Sequence, residues 1–512
     1  MEARQENPSN GEEGDPQNRI DEDEEDSDVE DDDYRPEPPP LSQESRLRAH
    51  KNRLTNLSHK LSSERVPIRV HDVLIKGNTK TKDWVIEAEL EELKCAGSLQ
   101  ELLQAASLAN FRLQELGIFR SVNIVLDSGP KELPGTANVV VNIVEASNPL
   151  SGEIGYYTKP EARSSTLEGV LKLKNLLGYG DFWDGSFAYG WNQTSELSAG
   201  VFFPRFESWT NPLIARVFLM TQDWLKYTSY NEQSLGLSLG LISSRKHDLT
   251  YNLSWRTLAD PSQMSSRSVR RQLGHGLSSA LKYTFRYDWR NSPLRPTRGY
   301  AFVSTTQVGG LVPDPRSLRF LRQEFDFRYA VPLGFNNAAI NFGMSVGALF
   351  PWGPGFLEKP SPLPERFYLG GNSSPFSTLG GPTSLLGFGT RGVGPSEPRR
   401  QTDGTVERDF VGGDLAFTAF ADMSFDLPFK WCRKSGIYGH IFACGGNLAK
   451  LTQNEFRNFS FQNFLKSYRS SVGAGIVVPT NIVRLEVNYC HVLRQFDFDR
   501  GKTGLRISFS SL

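Results

Sequence analysis

The chain has 512 residues, of which 38% are hydrophobic and 22% charged, and its formal net charge is −1 at neutral pH. This length leaves room for more than one domain, and the lack of any run of about eighteen apolar residues argues against a transmembrane helix. The four cysteines, Cys95, Cys432, Cys444 and Cys490, show neither metal-ligand nor disulfide-framework spacing, which is typical of a chain made in a reducing compartment such as the cytosol.

Charge is unevenly distributed along the chain. Residues 1–40 hold 17 Asp and Glu against 3 Arg, a net of −14, so residues 41–512 carry +13. The tract has few apolar side chains to bury, which predicts a disordered acidic tail. Such a tail is either a solvated segment with no specific role or a weak docking site for basic partners such as targeting sequences of precursor proteins.

Residues 41–65 are rich in helix formers. Leu47, Leu54, Leu57 and Leu61 fall on one helical face with basic residues on the others, which predicts a basic amphipathic linker helix. The helix either serves only as a linker or contacts an anionic membrane surface. Because the N-terminus resembles neither a secretory signal nor a transit peptide, we expect membrane insertion to be specified by the mature chain.

Residues 66–146 form a compact α/β pattern. A strand from Ile68 is followed by two helices and then two strands that end at Glu145, which predicts the order βααββ. With helices on one face, the other face and one edge of the sheet stay open, and an open edge invites an extended peptide to add a strand. The turn after the first strand is Gly77, Asn78 and Thr79, and the run before the second strand contains Gly117 and Phe119.

From residue 147 to the end, strand-length segments follow one another. Leu281, Tyr283, Phe285 and Tyr287 illustrate their period of two, with polar residues between them. One face is aliphatic and aromatic and the other small, polar or basic, which favours lipid outside and water inside over a soluble sandwich. Sixteen segments start near Glu153, Glu168, Phe182, Glu196, Pro212, Gln233, His247, His275, Tyr300, Phe320, Ala338, Gly413, Gly436, Ser470, Ile482 and Lys502. Residues 147–512 are therefore predicted to form a 16-stranded antiparallel transmembrane β-barrel.

Two connections between these strands are distinctive. The string at 287–300 contains an Asn, two Pro and a Gly, which make a tight reversal. Its singled-out residues are Asp288, Arg290, Pro293, Pro296, Arg298 and Gly299. A second connection, at about 351–410, is rich in Gly and Pro and far longer than usual, which indicates a function. Its singled-out residues are Leu379, Gly380, Gly381, Leu386, Gly387, Phe388 and Arg391.

These features together resemble a known family. The βααββ unit looks like a polypeptide-transport-associated (POTRA) domain, and the string at 287–300 closely resembles a signature of the superfamily of BamA, the bacterial outer-membrane barrel insertase. Lys502, Gly504, Ile507 and Phe509 match that family's sorting signal of polar, glycine and two hydrophobic positions. One POTRA domain before sixteen strands resembles the barrel subunits of the mitochondrial sorting and assembly machinery. The resemblance covers residues 66–512.

In that family the long loop folds back into the barrel lumen and carries an Arg-Gly-Phe or similar motif after a Leu-Gly-Gly. Here the position of the arginine is occupied by Leu386. An Arg in the lumen would pair with a carboxylate of the wall, and Leu cannot. Our hypothesis is that Arg391, five residues on, takes over the anchoring of the loop.

The resemblance also implies a mechanism. A precursor strand would pair at a lateral seam between the first and last barrel strands, which themselves pair when the barrel is closed. The seam residues are Glu153, Ile154, Gly155, Tyr156, Gly504, Leu505, Ile507 and Phe509. Gly504 either weakens this join or marks a bulge with no role in opening.

The implied partners are β-barrel precursor proteins, accessory subunits of an assembly complex and membrane lipid, with no nucleic acid. We expect no enzymatic activity, no cofactor and no metal, and we interpret Cys432, His440 and Cys444 as structural. The expected location is the mitochondrial outer membrane, with residues 1–145 in the intermembrane space. The alternatives are a plastid outer-envelope translocase or insertase of the same superfamily, a passive outer-membrane channel and a soluble β-rich enzyme.

Overall fold

The computed structural model describes most of the chain from residue 66 onward. The predicted acidic tail and linker helix, residues 1–65, lie outside the described residues. The other gaps are 147–149, 160–163, 191–193, 205–211, 245, 313–318, 354–358, 372–373, 377–378, 383, 400–406, 453–454, 480–482 and 512.

The first domain is a small sheet covered by helices. Its elements are β1 (Arg69–Lys76), α1 (Asp83–Glu87), α2 (Glu91–Lys94), α3 (Leu99–Glu115), β2 (Phe119–Ser128) and β3 (Thr136–Glu145). Strand β3 is central, parallel to β1 and antiparallel to β2, so both β1 and β2 are edge strands. Apolar residues of the helices, among them Ile86, Leu102 and Leu113, pack against Val139 and Val141 of the sheet. The predicted βααββ order is confirmed, with the first helix divided into α1 and α2.

The second domain is one antiparallel sheet of sixteen strands. They are β4 (Leu150–Lys159), β5 (Ser164–Lys174), β6 (Phe182–Gly190), β7 (Ser195–Phe203), β8 (Leu213–Asp223), β9 (Asn231–Ser243), β10 (His247–Ala259), β11 (Gly274–Asp288), β12 (Gly299–Gly309), β13 (Arg319–Pro332), β14 (Ala339–Trp352), β17 (Leu415–Asp426), β18 (Tyr438–Ala449), β19 (Arg469–Pro479), β20 (Val483–Arg494) and β21 (Gly504–Ser511). All sixteen predicted strands are confirmed. The largest offset is at β5, which starts at Ser164 rather than near Glu168.

The remaining elements lie in the connections. A separate hairpin of β15 (Ser396–Pro398) and β16 (Arg408–Phe410) lies between β14 and β17. The described parts of the connections contain four short α-helices, α4 (Leu225–Thr228), α5 (Arg267–Arg270), α6 (Lys430–Lys434) and α7 (Phe461–Lys466), and two 3-10 helices, Leu363–Glu365 and Glu455–Asn458. Among the described residues, every helix is too short or too polar to cross a bilayer.

The two faces of the large sheet have opposite chemistry. On β13, Phe325, Phe327 and Tyr329 are exposed, whereas Asp326 and Arg328 between them are buried. This arrangement is the reverse of a soluble sheet and is that of a barrel with an apolar exterior and a polar interior. The period of two that identified the strands therefore also identified their lipid-facing side.

The connection between β14 and β17, residues 353–414, is here called the lumen loop. It packs on the interior face of the sheet, where its residues form an apolar cluster with residues of the wall. The loop contributes Phe367, Leu369, Phe376, Leu385, Leu386, Phe388 and Val393, and the wall contributes Phe320, Leu349, Ala416, Phe442, Cys444, Leu448 and Cys490. The longest connection of the barrel domain thus contributes half of this apolar cluster.

Candidate functional site

The first and last strands of the barrel, β4 and β21, are the two ends of the sheet. Cα atoms of the two strands come within 8 Å of each other, yet no ladder joins them over the residues described for either strand. The sequence predicts that they pair. The structure differs at this point, because over these residues the two strands lie close together without pairing. The facing edges of β4 and β21 therefore present backbone donors and acceptors that another strand could satisfy.

The predicted seam residues lie along these two edges. Ile154, Leu505 and Ile507 point to the exposed exterior, and Glu153 lies 3.6 Å from the amino group of Lys172 on β5. The side chains of Tyr156 and Phe509, and the surroundings of Gly155, lie outside the described part of the chain. The role of these residues in a seam stays a prediction.

Gly504 begins the last strand in a conformation that favours glycine. Its φ is +139°, and a Cβ at this position would meet no atom within 4 Å. The reason for glycine here is therefore the backbone conformation and not close packing. Lys502, two residues earlier, donates its backbone N–H to the carbonyl oxygen of Gly387 in the lumen loop at 2.8 Å.

The tip of the lumen loop is bound to the segment that leads into the last strand. The N–H of Gly389 donates to the carbonyl of Arg500, and the N–H of Arg500 donates to the carbonyl of Gly392, both at 2.8 Å. Within β21, Arg506 donates from Nη1 to the carbonyl of Phe388 at 2.9 Å. The loop and one edge of the seam are thus a single hydrogen-bonded unit.

The Leu-Gly-Gly part of the loop lies against β13. The N–H of Gly380 donates to Oδ2 of Asp326 at 2.8 Å, and a side chain at Gly381 would overlap the carboxylate of Glu324. Leu379 is partly buried beside them. The predicted motif therefore contacts the wall through backbone atoms that only small residues leave accessible.

Leu386 is an apolar anchor of the loop. Its side chain is 2% exposed within the loop's cluster, and its carbonyl accepts a hydrogen bond from the hydroxyl of Ser471. The adjacent Gly387 has φ +91° and packs against Ser471. Anchoring at this position therefore rests on burial and backbone contacts, where an arginine would use its charge.

Arg391 lies elsewhere in the interior. Its guanidinium carbon is 3.4 Å from the ring centroid of Trp224 and 3.9 Å from that of Tyr368. It donates to the hydroxyls of Thr228 and Tyr230 at 3.4 and 3.3 Å. Arg391 thus joins the loop to the β8–β9 connection through aromatic faces and hydroxyls, and its substitution for the family arginine stays a hypothesis.

The lumen loop does form ion pairs with the wall. Their charges are the reverse of those expected, which were an arginine in the loop and a carboxylate in the wall. Glu365 of the loop is buried and lies 3.1 Å from Nη1 of Arg256 and 3.7 Å from Nη1 of Arg322. The wall thus supplies the cations and the loop the carboxylate. Glu365 was not among the residues predicted from sequence, although a carboxylate in a glycine- and proline-rich loop could have indicated an ion pair with the wall.

The β15–β16 hairpin ties the loop to two other connections. Asp409 is fully buried and accepts from the hydroxyl of Ser229 at 2.6 Å, the N–H of Ser266 at 2.8 Å and Nε of Arg399 at 2.8 Å. Ser229 and Ser266 belong to the β8–β9 and β10–β11 connections. Arg399 also pairs with the exposed Glu407 at 2.5 Å.

The signature at 287–300 makes the predicted reversal and also reaches across the barrel end. Asp288 holds Arg290 in a two-pronged pair at 2.8 and 2.7 Å. The Asn291 side chain and the Arg298 backbone close the turn, Gly299 has φ +109°, and Pro293 and Pro296 flank its tip.

The tip of this turn contacts strands far along the sheet. Arg295 donates to Oδ1 of Asp426 at 2.6 Å and to the carbonyl of Asn337 at 3.1 Å. The carbonyl of Leu294 accepts from Arg484 of β20 and, at 3.4 Å, from the Tyr438 hydroxyl of β18. The string therefore braces one rim of the barrel, a role that a local reading of turn residues does not indicate.

The predicted POTRA turn is organised by Glu145, the last residue of β3. Glu145 accepts from the hydroxyls of Thr79 and Thr81, both at 2.6 Å, and from the N–H groups of Lys80 and Thr81. Partial burial raises the pKa of Glu145, but these hydrogen bonds outweigh burial and lower it to about 2. Gly77, which enters the turn, has φ +94°, and a side chain there would overlap the carbonyl of Ile143.

The same turn touches the barrel domain. Asn175 in the β5–β6 connection donates to the hydroxyl of Thr81 at 2.8 Å, and Lys82 donates its N–H to the carbonyl of Gly178 at 2.9 Å. Nζ of Lys82 lies 3.6 Å from the ring centroid of Tyr179. The turn that contains the predicted Asn78 and Thr79 thus connects the POTRA domain to the second and third barrel strands.

The other predicted POTRA residues, Gly117 and Phe119, follow the C-terminal end of α3. Gly117 has φ +63° and its carbonyl accepts from Lys174 at 3.4 Å, while Phe119 starts β2 and packs on the domain core. Asn78 reaches Asp83 and the carbonyl of Thr81 with its side chain.

Cys432, Cys444 and His440 lie in the barrel domain at three separate positions. Cys432 is buried in α6, whereas Cys444 belongs to the cluster beneath the lumen loop. His440 lies between Asp422 and Asn488. Its Nδ1 is 2.9 Å from Oδ1 of Asp422, and its Nε2 is 2.7 Å from Oδ1 of Asn488. Across the described residues, no group of three or more His, Cys, Asp and Glu side chains could hold a metal ion.

Comparison with protein families assigns both domains. The family described as "Omp85 superfamily domain" matches residues 175–511, and the POTRA family, described as "surface antigen variable number repeat", matches residues 68–146. The two matches correspond to the sixteen-stranded sheet from the β5–β6 connection onward and to the βααββ unit.

Similar proteins and structures agree with this assignment. The "Sorting and assembly machinery component 50 homolog" proteins of Mus musculus and Homo sapiens are each 30% identical over 440 residues, covering 83% of this chain and 86% of theirs. A SAM50-like protein of Schizosaccharomyces pombe is 25% identical over 485 residues, covering 91% and 95%. The crystal structure of BamA from Haemophilus ducreyi lacking POTRA domains 1–3 has a similar fold, with a TM-score of 0.70 at 18% identity, over 87% of this chain and 85% of that one. The chain therefore belongs to the Omp85 superfamily.

Proposed function

We propose that this protein inserts and assembles β-barrel precursor proteins in the mitochondrial outer membrane, through the seam between β4 and β21. The observation that carries the proposal is the pair of facing strand edges, between which no ladder forms over the described residues of β4 and β21. A precursor strand that pairs there satisfies its backbone groups before it meets lipid, where each unsatisfied group costs several kcal/mol. The names and coverage of the similar proteins support the same reading.

Several finer statements belong to this proposal. The POTRA domain faces the intermembrane space, where the free edges of β1 and β2 receive extended precursor segments before they reach the seam. Accessory subunits of an assembly complex and membrane lipid are the other partners. The protein performs no enzymatic reaction and needs no cofactor, because strand exchange replaces one set of hydrogen bonds with another.

Cysteine crosslinking tests the seam. Cysteines replace Ile154 and Ile507, both exposed on the exterior, in a chain whose exposed native thiol is removed by Cys95→Ser. We expect a crosslink between them that an arrested precursor abolishes, together with new crosslinks from each position to the precursor. The matched control replaces Leu219 and Leu235, exposed partners in the β8–β9 ladder, whose crosslink should not respond.

The possible outcomes separate insertion from a passive channel. Two results together would contradict the proposal. One is a seam crosslink that precursor leaves unchanged, and the other is normal insertion of barrel proteins in mitochondria depleted of this protein. A wide, steady conductance in planar bilayers under the same conditions would then favour the channel.

A further inference from the structure

A cluster of basic and aromatic residues lies at the barrel rim between β17 and β18. In and beside helix α6, Phe429 and Trp431 are 59% and 64% exposed, and the side chains of Lys430, Arg433 and Lys434 are also exposed. We call these five residues the rim patch. The proposed insertion reaction uses none of them.

The backbone of α6 fixes the direction of these side chains. Cys432, in the middle of the helix, is 2% exposed and points inward. The helix ends at Lys434, Gly436 follows with φ +71°, and the N–H of Ile437 donates to the carbonyl of Cys432 at 2.8 Å. Glycine in this left-handed conformation ends a helix by satisfying its last carbonyl groups, and with Cys432 turned inward the exposed side chains of the rim patch face outward.

The rim patch lies where the apolar exterior of the barrel ends. On the strands beside it, Phe342, Met344 and Ile441 are exposed on the lipid-facing side. Strand β17 ends at Asp426 and strand β18 begins at Tyr438, and α6 lies in the turn between them. Aromatic residues followed by basic ones at such a boundary are placed at the depth of lipid headgroups.

Few carboxylates offset the charge of the rim patch. Asp426 lies 3.7 Å from Nε of Arg433, but its other oxygen already accepts from Arg295 at 2.6 Å. Neither Lys430 nor Lys434 forms an ion pair with any carboxylate of the described residues. The patch therefore presents two lysines that form no ion pair among the described residues, and an arginine that shares its carboxylate with Arg295. These charges lie beside exposed aromatic rings, which complements an anionic surface with an apolar layer beneath it.

We propose that the rim patch binds the headgroups of anionic phospholipids in the leaflet on the POTRA side of the membrane. Trp431 and Phe429 enter the interface, and the three basic side chains contact lipid phosphates. The side of the barrel follows from the topology, because the β17–β18 turn and the POTRA-contacting β5–β6 connection lie at the same end of antiparallel strands. The lipid reading is favoured over an acidic protein partner because the patch continues directly into the lipid-facing band.

Native mass spectrometry of the full-length protein in detergent tests this proposal, with a mixture of phosphatidylglycerol and phosphatidylcholine as the probe. The test variant is Lys430→Gln, Arg433→Gln, Lys434→Gln. The matched control, Lys76→Gln, Lys94→Gln, Lys131→Gln, removes the same charge from exposed positions on the POTRA domain. We expect the parent and control to retain phosphatidylglycerol preferentially, and the test variant to lose about fivefold in affinity per charge removed.

Fluorescence quenching in nanodiscs provides a second readout that leaves the charges in place. The difference between the parent and Trp431→Phe isolates the Trp431 signal, which brominated phosphatidylglycerol should quench more strongly than brominated phosphatidylcholine. Three results would each overturn the proposal. They are equal quenching by the two lipids, equal lipid retention by the test and control variants, and binding of a polyglutamate peptide to the patch in place of lipid. If the triple variant fails to fold, judged by heat-modifiable migration, the quenching comparison decides.

Discussion

Arg506 in the last barrel strand donates from Nη1 to the carbonyl oxygen of Phe388 in the lumen loop at 2.9 Å. The side chains on either side of it, Leu505 and Ile507, face the exterior. One strand thus offers its apolar side to lipid and its polar side to the loop. Any movement of this edge must break the contact or carry the loop with it.

Replacement of this arginine should therefore loosen the loop. Arg506→Met removes a charge-assisted hydrogen bond, and we expect a loss of about 1.5–3 kcal/mol in the free energy of unfolding. Urea unfolding in detergent micelles measures it, with Arg494→Met on the exposed end of β20 as the matched control. Equal unfolding midpoints for the two variants would show that the contact does not hold the loop.

An arginine at position 386, as in the family motif, should lower the free energy of unfolding of this protein. The Leu386 side chain is 2% exposed among apolar neighbours. Leu386→Arg would place a charge there without a partner, at a cost of about 3–5 kcal/mol. Leu386→Met, which keeps the volume and the apolar character, should cost less than about 1.5 kcal/mol. A Leu386→Arg protein as stable as the parent would mean that the site can supply a counter-charge.

Arg391 provides a separate test of loop anchoring. Its guanidinium lies between the rings of Trp224 and Tyr368, an arrangement worth about 2 kcal/mol when desolvated. Arg391→Glu places a carboxylate against the same ring faces, so we expect defective folding and loss of precursor insertion in isolated mitochondria. Arg391→Lys keeps the charge and should retain part of both. Normal assembly and insertion by Arg391→Glu would refute the anchoring hypothesis.

The strands and the POTRA helices were predictable from sequence, whereas the contacts of the lumen loop were not. A strand such as β11 alternates apolar and polar residues because lipid and lumen lie on opposite sides of it, and that periodicity is local. The bonds from Arg506 to Phe388 and from Arg484 to Leu294 join residues more than a hundred positions apart. Such pairs leave no periodic signal, so only the inward position of Arg506 in its strand could have indicated a partner in the lumen.

The junction between the POTRA domain and the barrel should depend on pH through Glu145. Hydrogen bonds lower the pKa of this carboxyl from 4.5 to about 2. The stability it contributes is therefore complete above pH 4.5 and is lost as the pH falls toward 2. The difference in urea midpoint between the parent and Glu145→Gln should shrink over this interval. The exposed Glu132, replaced by Gln, serves as the control, and a difference that stayed constant with pH would contradict the assignment.

Asp409 and Glu407 offer a matched pair for the role of the β15–β16 hairpin, because both carboxylates bind Arg399 and only one is buried. Asp409 is 0% exposed and also holds Ser229 and Ser266, whereas the Glu407 side chain is 59% exposed. Removing the buried charge breaks contacts to two barrel connections and should cost about 3–5 kcal/mol, while an exposed pair contributes about 0–1 kcal/mol. Asp409→Asn should therefore lower the unfolding midpoint and raise the conductance of the barrel in planar bilayers, and Glu407→Gln should leave both close to the parent. If Asp409→Asn unfolded earlier without any rise in conductance, the hairpin would stabilise the loop without restricting the lumen. Equal behaviour of the two variants would show that Asp409 holds the hairpin no more firmly than the exposed Glu407 does.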